Sequence, residues 1–178
     1  MLRFNLLSIL ILSCALCNFA SAAENEISGN LGWGHPLGVS IQYSRIIDNA
    51  NLIGLGIGFS GAGAKYGISY EYLMAEDGWG PFGGISAAYA GGASEMNVNV
   101  NADSAVYSIH SGYTVTPRAG ARYQGSTMSF QANFGYSIVL SGGGADYVSG
   151  STSSSVKNFA ELVGLGGIEI SVSVGRDF

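Results

Sequence analysis

The sequence predicts an all-β protein, an eight-stranded antiparallel up-and-down barrel that spans a membrane. Three observations predict this fold class. Apolar and polar residues alternate with a period of two in eight separate segments. No apolar run long enough for a spanning helix follows the first 22 residues. Charged residues make up 11% of the chain, against about 25% in typical soluble domains.

The N-terminus has the pattern of a secretory signal peptide. Arg3 precedes an apolar run from Leu6 to Leu16, and Ala20-Ser21-Ala22 is a small-residue cleavage site. We therefore expect a signal peptide over residues 1–22 and a barrel domain over residues 23–178. A lipoprotein signal around an early cysteine is the alternative.

The predicted mature chain has 156 residues and neither of the two cysteines, Cys14 and Cys17. Disulfides and thiolate chemistry are therefore excluded from it. It keeps twelve acidic and six basic residues, and this acidic balance argues against nucleic acid as a partner.

Each of the eight predicted strands has one apolar and one polar face. They are Ile27–Trp33, Leu37–Ile47, Leu52–Ser60, Lys65–Met74, Pro81–Gly91, Tyr113–Gln124, Thr127–Leu140 and Ile168–Phe178.

Turn sequences separate the first four segments, and the third places Gly54, Gly56 and Gly58 on its polar face, which indicates a crowded interior. The fifth segment is the least regular. The sixth contains Pro117, which is an objection to a strand there because proline cannot donate a hydrogen bond to a β-ladder. The seventh alternates over fourteen residues, Thr127–Leu140. A Gly/Ser-rich connection, Ser141–Val163, then leads to the eighth.

The apolar faces are predicted to point outward, because Gly, Ser, Asn and Gln would make a poor apolar core whereas Ile, Leu, Phe and Tyr suit lipid. Aromatic residues near the strand ends predict two girdles. The alternative is a soluble secreted binder similar to a lipocalin, with the opposite polarity.

The last strand ends in Phe178, and here the chain resembles bacterial outer-membrane β-barrels, whose final aromatic residue is the assembly signal. Over the whole mature chain it resembles the small eight-stranded outer membrane proteins of the porin-like superfamily, of the outer membrane protein A and X type. Arg176 departs from the family's terminal pattern. The resemblance implies location in the outer membrane of a Gram-negative cell, with outer-membrane lipid, lipopolysaccharide and the barrel-assembly machinery as partners.

Charged side chains on the inward faces are expected to pair, because an isolated buried charge is costly. The residues concerned are Glu71, Arg118, Arg122, Glu169 and Asp177. Eight strands leave an interior that side chains can fill, so we predict a filled lumen. A narrow channel for small or hydrophobic molecules is the alternative.

A protruding external hairpin is predicted between the fifth and sixth strands. The alternation continues beyond Gly91-Gly92 with the apolar residues shifted by one position, as a β-bulge would produce. The predicted hairpin residues are Met96, Val98, Val100, Tyr107 and Ile109. With exposed side chains and backbone edges it would suit a surface protein partner, in adhesion or envelope integrity; a solvated loop that caps the barrel is the alternative.

Motifs for chemistry are few. His110-Ser111, with Glu95 and Asp103 nearby, suggests a lipid A-modifying enzyme as an alternative. Adjacent strand residues point to opposite faces, so these two cannot act as base and nucleophile without a bulge. We therefore expect no enzyme, and neither a cofactor nor a metal.

Overall fold

The computed structural model describes residues 25–33, 38–48, 50–100, 103–150, 153–154 and 166–178. In this part of the chain, eight antiparallel strands close into a barrel and three further strands form a second sheet. The predicted fold class, an all-β eight-stranded antiparallel barrel, is confirmed.

The strands differ from the predicted segments by a few residues at their ends. In chain order they are β1 (Asn25–Trp33), β2 (Val39–Asp48), β3 (Asn51–Ser60), β4 (Gly63–Leu73), β5 (Gly78–Ala90), β6 (Ala93–Val100), β7 (Asp103–Ile109), β8 (Gly112–Gln124), β9 (Met128–Gly142), β10 (Ala145–Gly150) and β11 (Gly167–Asp177).

Around the barrel the strands follow the order β1, β2, β3, β4, β5, β8, β9 and β11, and β11 pairs again with β1. At this seam the Phe178 amide donates to the Asn25 carbonyl at 2.9 Å, and Ile27 lies opposite Arg176. Closure leaves the barrel without an edge strand. We call the end that holds Asn25 and Phe178 the internal end, and the opposite one the external end.

The wall of the barrel has its apolar side outward. Large apolar side chains such as Leu31, Ile57 and Ile170 are 58–67% exposed. Inward positions alternate with them and carry buried serine, glutamine, asparagine, glutamate and arginine side chains. The outward polarity predicted from the sequence is therefore the one observed.

Aromatic side chains gather at both ends of the wall. Near the external end, Tyr89 lies between Tyr66 and Tyr113, with ring centroids 5.4 and 4.9 Å away. The rings that meet near the internal end are Tyr43 with Phe178, Trp79 with Tyr123, and Tyr123 with Phe130.

Pro117 is accommodated by a local interruption between β8 and β9. Pairing stops at Val115 opposite Ile138 and resumes at Arg118 opposite Gly135. On the other side Pro117 lies in the regular β5 ladder. Within the interruption the hydroxyls of Thr116 and Ser137 form a hydrogen bond of 2.7 Å, so a side-chain contact links the strands where proline lacks its N–H.

The second sheet lies at the external end and has the order β10, β7, β6. β6 and β7 form an antiparallel pair in which Val100 lies opposite Asp103. β10 corrects the sequence interpretation, because it lies inside the stretch Ser141–Val163 that was predicted to be a connection. The sheet adds its third strand by pairing Tyr147 with Tyr107.

Two predicted segments, the signal peptide over residues 1–22 and the turn around His35-Pro36, lie outside the described residues. Within the described ranges, no helix has the length and apolarity required to cross a membrane.

Candidate functional site

The lumen brings charged side chains together because every second residue of a strand faces inward. The internal end is organised around Arg122 of β8. Its guanidinium donates to Glu26 of β1, to Gln124 Oε1 at 2.9 Å and to Gln131 Oε1 at 3.1 Å. Glu26 also accepts a hydrogen bond from the Ser129 hydroxyl. Both members of this ion pair are buried, so Arg122 and its partners form a hydrogen-bonded cluster inside the barrel at the internal end.

Asp177 joins the same group indirectly. The Gln124 side-chain amide donates to its carboxylate at 2.9 Å, while Gln124 Oε1 accepts from Arg122. Asp177 and Glu26 are direct neighbours across β11 and β1. Glu26 is bonded to the Arg122 guanidinium directly, and Asp177 is connected to it through the Gln124 amide.

A second ion pair lies deeper in the lumen, between Arg118 of β8 and Glu71 of β4. The Arg118 guanidinium nitrogen is 2.5 Å from Glu71 Oε1, and the two side chains are only 4% and 2% exposed. The Gln131 amide also donates to Glu71 Oε1, at 3.2 Å. Gln131 thereby connects this pair to Arg122, and the two ion pairs form one hydrogen-bonded network.

Glu169 of β11 occupies a higher level, toward the external end. Its carboxylate accepts a long hydrogen bond of 3.4 Å from the Ser171 hydroxyl. Lys65, Arg118 and Glu71 are its charged neighbours in the lumen.

Of the five predicted lumen residues, Arg118 and Glu71 form a direct ion pair with each other. The sequence interpretation missed Glu26 and Lys65, although both have the inward parity of their strands. Glu26 was missed because the first strand was predicted to begin one residue later. Extending the first strand by one residue would have found Glu26, whereas Lys65 already begins the predicted fourth strand and shares the parity of Glu71.

The predicted hairpin residues lie on β6 and β7, but the side chains of Val98, Tyr107 and Ile109 are buried and do not form the exposed surface that was predicted. Val98 and Tyr107 are each 3% exposed and form a small apolar core with Ala105. Ile109 is 2% exposed and packs with Ala62 and Ala90. The physical reason is that β10 completes a sheet with an apolar face of its own.

Two glycines, Gly91 and Gly92, connect β5 of the barrel to β6 of the external sheet, and we call them the hinge. Gly92 has φ of +84°, and a Cβ there would lie 2.6 Å from the Ile109 carbonyl oxygen. The Gly91 and Gly92 amides donate to the Ala64 and Ala62 carbonyls at 2.8 and 3.0 Å. The external sheet is thus hydrogen-bonded to the rim of the barrel at the predicted bulge position.

The exposed side chains of the external sheet are of two kinds, polar on β6 and aromatic or apolar on β10. Glu95, Asn97 and Asn99 are exposed on β6, and Tyr147 and Val148 are exposed on β10.

His110 lies at the rim of the barrel, where its Nε2 is 3.0 Å from an Asp146 carboxylate oxygen. The Ser111 carbonyl accepts from the Gly143 amide at 3.0 Å. Within the described ranges, no group of three or more His, Cys, Asp or Glu side chains could hold a metal ion.

No protein-family model and no curated protein matches this chain. Two solved structures are similar to it. One is the N-terminal β-barrel domain of Pseudomonas aeruginosa OprF, with 12% identity and a TM-score of 0.49. The other is Neisserial surface protein A (NspA), with 10% identity and a TM-score of 0.48. Each alignment covers 88% of this chain and 96% of the other.

Proposed function

We propose that the protein is an integral outer-membrane barrel with a side-chain-filled lumen and a surface-interaction role for its external sheet. The observation that carries this proposal is the polarity of the wall, with apolar side chains exposed and charged side chains buried. Apolar surface in water costs roughly 25 cal/mol per Å². Lipid contact removes that cost over the whole outer face of the barrel.

The ends of the wall fit the same environment. Aromatic rings near both ends suit the interface between lipid and water. Arg45 and Arg176 are outward-facing but lie near the internal end, opposite Asn25 and Ile27 respectively. There a long side chain can extend its guanidinium to the headgroups.

Cell fractionation tests this location. The unboiled protein should migrate faster than the boiled protein in a detergent gel, and it should remain in outer membranes after a carbonate wash. Recovery as a soluble periplasmic protein would contradict the proposal and favour the lipocalin-like alternative.

The surface role belongs to the exposed side chains of the external sheet, with Glu95, Asn97 and Asn99 on one edge strand and Tyr147 and Val148 on the other. The exposed carboxylates of Glu95 and Asp103 suit a protein partner with a basic surface. The role proposed is adhesion to a host or cell-surface protein, and envelope integrity is the alternative.

Deleting residues 96–107 should abolish adhesion and leave the heat-dependent gel shift of the barrel intact. Glu95→Lys is the matched variant, because it changes the charge of the exposed side and keeps the sheet. Adhesion that survives the deletion would refute the role. Adhesion that is lost in the deletion but kept in Glu95→Lys would show that the sheet itself is needed and the charge of Glu95 is not.

A further inference from the structure

Two arginines on the outer face of the wall lie close together at the seam where the barrel closes. Arg45 of β2 lies opposite Asn25, and Arg176 of β11 lies opposite Ile27, so β1 alone separates them. Two strand spacings and an offset of two residues place their Cα atoms roughly 12 Å apart. The other lysine and arginine side chains of the described residues face the lumen, namely Lys65, Arg118 and Arg122. We call Arg45, Arg176 and the outward residues between them, Asn25 and Ile27, the seam site.

The surface between the two guanidinium groups is mainly apolar and aromatic. Ile27 and Phe178 are exposed, and the Phe178 ring centroid lies 6.5 Å from that of Tyr43. The Tyr43 hydroxyl donates to the Asn25 side-chain oxygen at 2.7 Å, and the Asn25 amide nitrogen adds a neutral donor to the same face. The seam site therefore combines cationic donors with an apolar floor.

Arg176 is the open half of the seam site. Its cross-strand neighbours, Ile27 and Met128, are apolar. Its side chain forms no hydrogen bond or ion pair with any residue that the structure describes. Guanidinium N–H groups without acceptors are costly at an apolar surface, so Arg176 needs acceptors from outside the described chain.

The anionic groups near the seam site leave its charge positive. Glu26 and Asp177 face the lumen and are bonded there. Asp48 accepts from the Asn51 amide at 3.1 Å. The terminal carboxylate of Phe178, whose backbone pairs with β1, then stands as one anion against two cations. A ligand with a negative charge therefore complements the site.

We propose that the seam site binds the headgroup of an anionic phospholipid, with the phosphate between Arg45 and Arg176 and the acyl chains on Ile27 and Phe178. Guanidinium groups bind phosphate through two parallel N–H···O bonds, which are stronger than neutral hydrogen bonds. A zwitterionic headgroup carries an ammonium group beside its phosphate, and two guanidinium groups repel that ammonium. The site thus selects the anionic lipid. The bound lipid connects β2 to β11 across β1. This inference rests on the proposed membrane location.

Lipid retention tests the proposal. The purified protein is incubated in detergent with an equimolar mixture of phosphatidylglycerol and phosphatidylethanolamine, and native mass spectrometry measures the ratio of the two lipids in one-to-one complexes. The parent should retain phosphatidylglycerol in about tenfold excess, because charge-assisted pairs are the strong ones. Arg45→Gln and Arg176→Gln should each reduce this excess, and the double variant should show none. Lys157→Gln is the matched control, because it removes the same charge from a position outside the seam site.

Three results would overturn the proposal: equal retention of the two lipids by the parent, an excess that persists in the double variant, or an excess that Lys157→Gln also loses. The heat-dependent gel shift checks that each variant is folded. If a glutamine variant does not fold, Arg176→Lys replaces it; this variant keeps the charge but not the planar fork, and it should keep only part of the excess. An undiminished excess there would argue against phosphate binding by Arg176. A protein that inserts into no vesicle would instead refute the proposed location, whereas one that inserts and retains both lipids equally refutes the lipid site alone.

Discussion

The Arg122 network makes a quantitative prediction about the internal end. Replacing Arg122 by methionine keeps most of the side-chain volume but removes the guanidinium from Glu26, Gln124 and Gln131. Glu26, which is 2% exposed, then keeps only the hydroxyl of Ser129. Removing one partner of a buried ion pair costs about 3–5 kcal/mol, so Arg122→Met should destabilise the barrel by that amount.

The partner variant should behave differently. Glu26→Gln keeps an oxygen that can accept from Arg122 and Ser129, and Arg122 retains its two glutamine partners, so its cost should be clearly smaller. Combining Arg122→Met with Glu26→Gln should recover part of the loss, because no carboxylate is then left buried alone.

Urea unfolding in lipid vesicles measures these differences. The two tryptophans, Trp33 and Trp79, are both outward-facing and exposed, so their fluorescence reports the loss of the lipid environment. A cost below about 1 kcal/mol for Arg122→Met, the range of surface ion pairs, would refute the reasoning, because it would mean that water reaches Glu26. Planar bilayers add an independent measurement: the parent barrel should show no steady conductance, and openings should appear first in Arg122→Met.

Three further predictions concern the wall, the hinge and the C-terminus. Val172→Arg, outward on β11, should cost about 2–4 kcal/mol, against about 0–1 for Val39→Arg near the external end; equal costs in urea unfolding would contradict lipid contact. Gly92→Val forces a side chain into a positive-φ conformation at about 1–3 kcal/mol, so protease should cut the external sheet faster while the gel shift of the barrel persists. Phe178→Ala loses the ring contact with Tyr43, which is worth about 0.5–1.5 kcal/mol, so the refolded protein should lose little stability. If Phe178 is the assembly signal, the amount of protein in the outer membrane should fall far more than this loss of stability explains. A fall in yield that the lost stability fully explains would argue against an assembly role.

The faces of the strands could be predicted from the sequence because a period-two alternation assigns every residue of a strand to one of two faces. The first and last residues of the strands were harder to predict from the sequence. β5 begins at Gly78 rather than Pro81, since Trp79 continues the ladder opposite Tyr123. Gly78 and Gly80 precede the predicted fifth strand, Pro81–Gly91, and glycine has a low strand propensity, so only their pairing with β8 reveals that the strand begins earlier.

The pairing inside the lumen could not be derived from the alternation. Alternation gives the face of a residue but not its height, which depends on strand tilt and stagger. Arg122 of β8 reaches Glu26 of β1 across the lumen, and the two are 96 positions apart in sequence. The strand register of the closed barrel brings Glu26, and not the predicted Glu169, to the guanidinium of Arg122 at the internal end.

The external sheet shows why one pattern can have two structural meanings. In β5 the apolar residues occupy odd positions and face outward, whereas in β6 Met96 and Val98 occupy even positions and pack inward. Met96 also packs against the cluster of Ala62, Ala90 and Ile109, in which Ala90 is an inward residue of β5. The apolar face of the external sheet therefore continues the lumen face of the barrel. Its apolar residues are buried by protein, whereas the outward apolar residues of β5, such as Trp79 and Ile85, are exposed. The alternation alone cannot distinguish the two cases because both produce the same period.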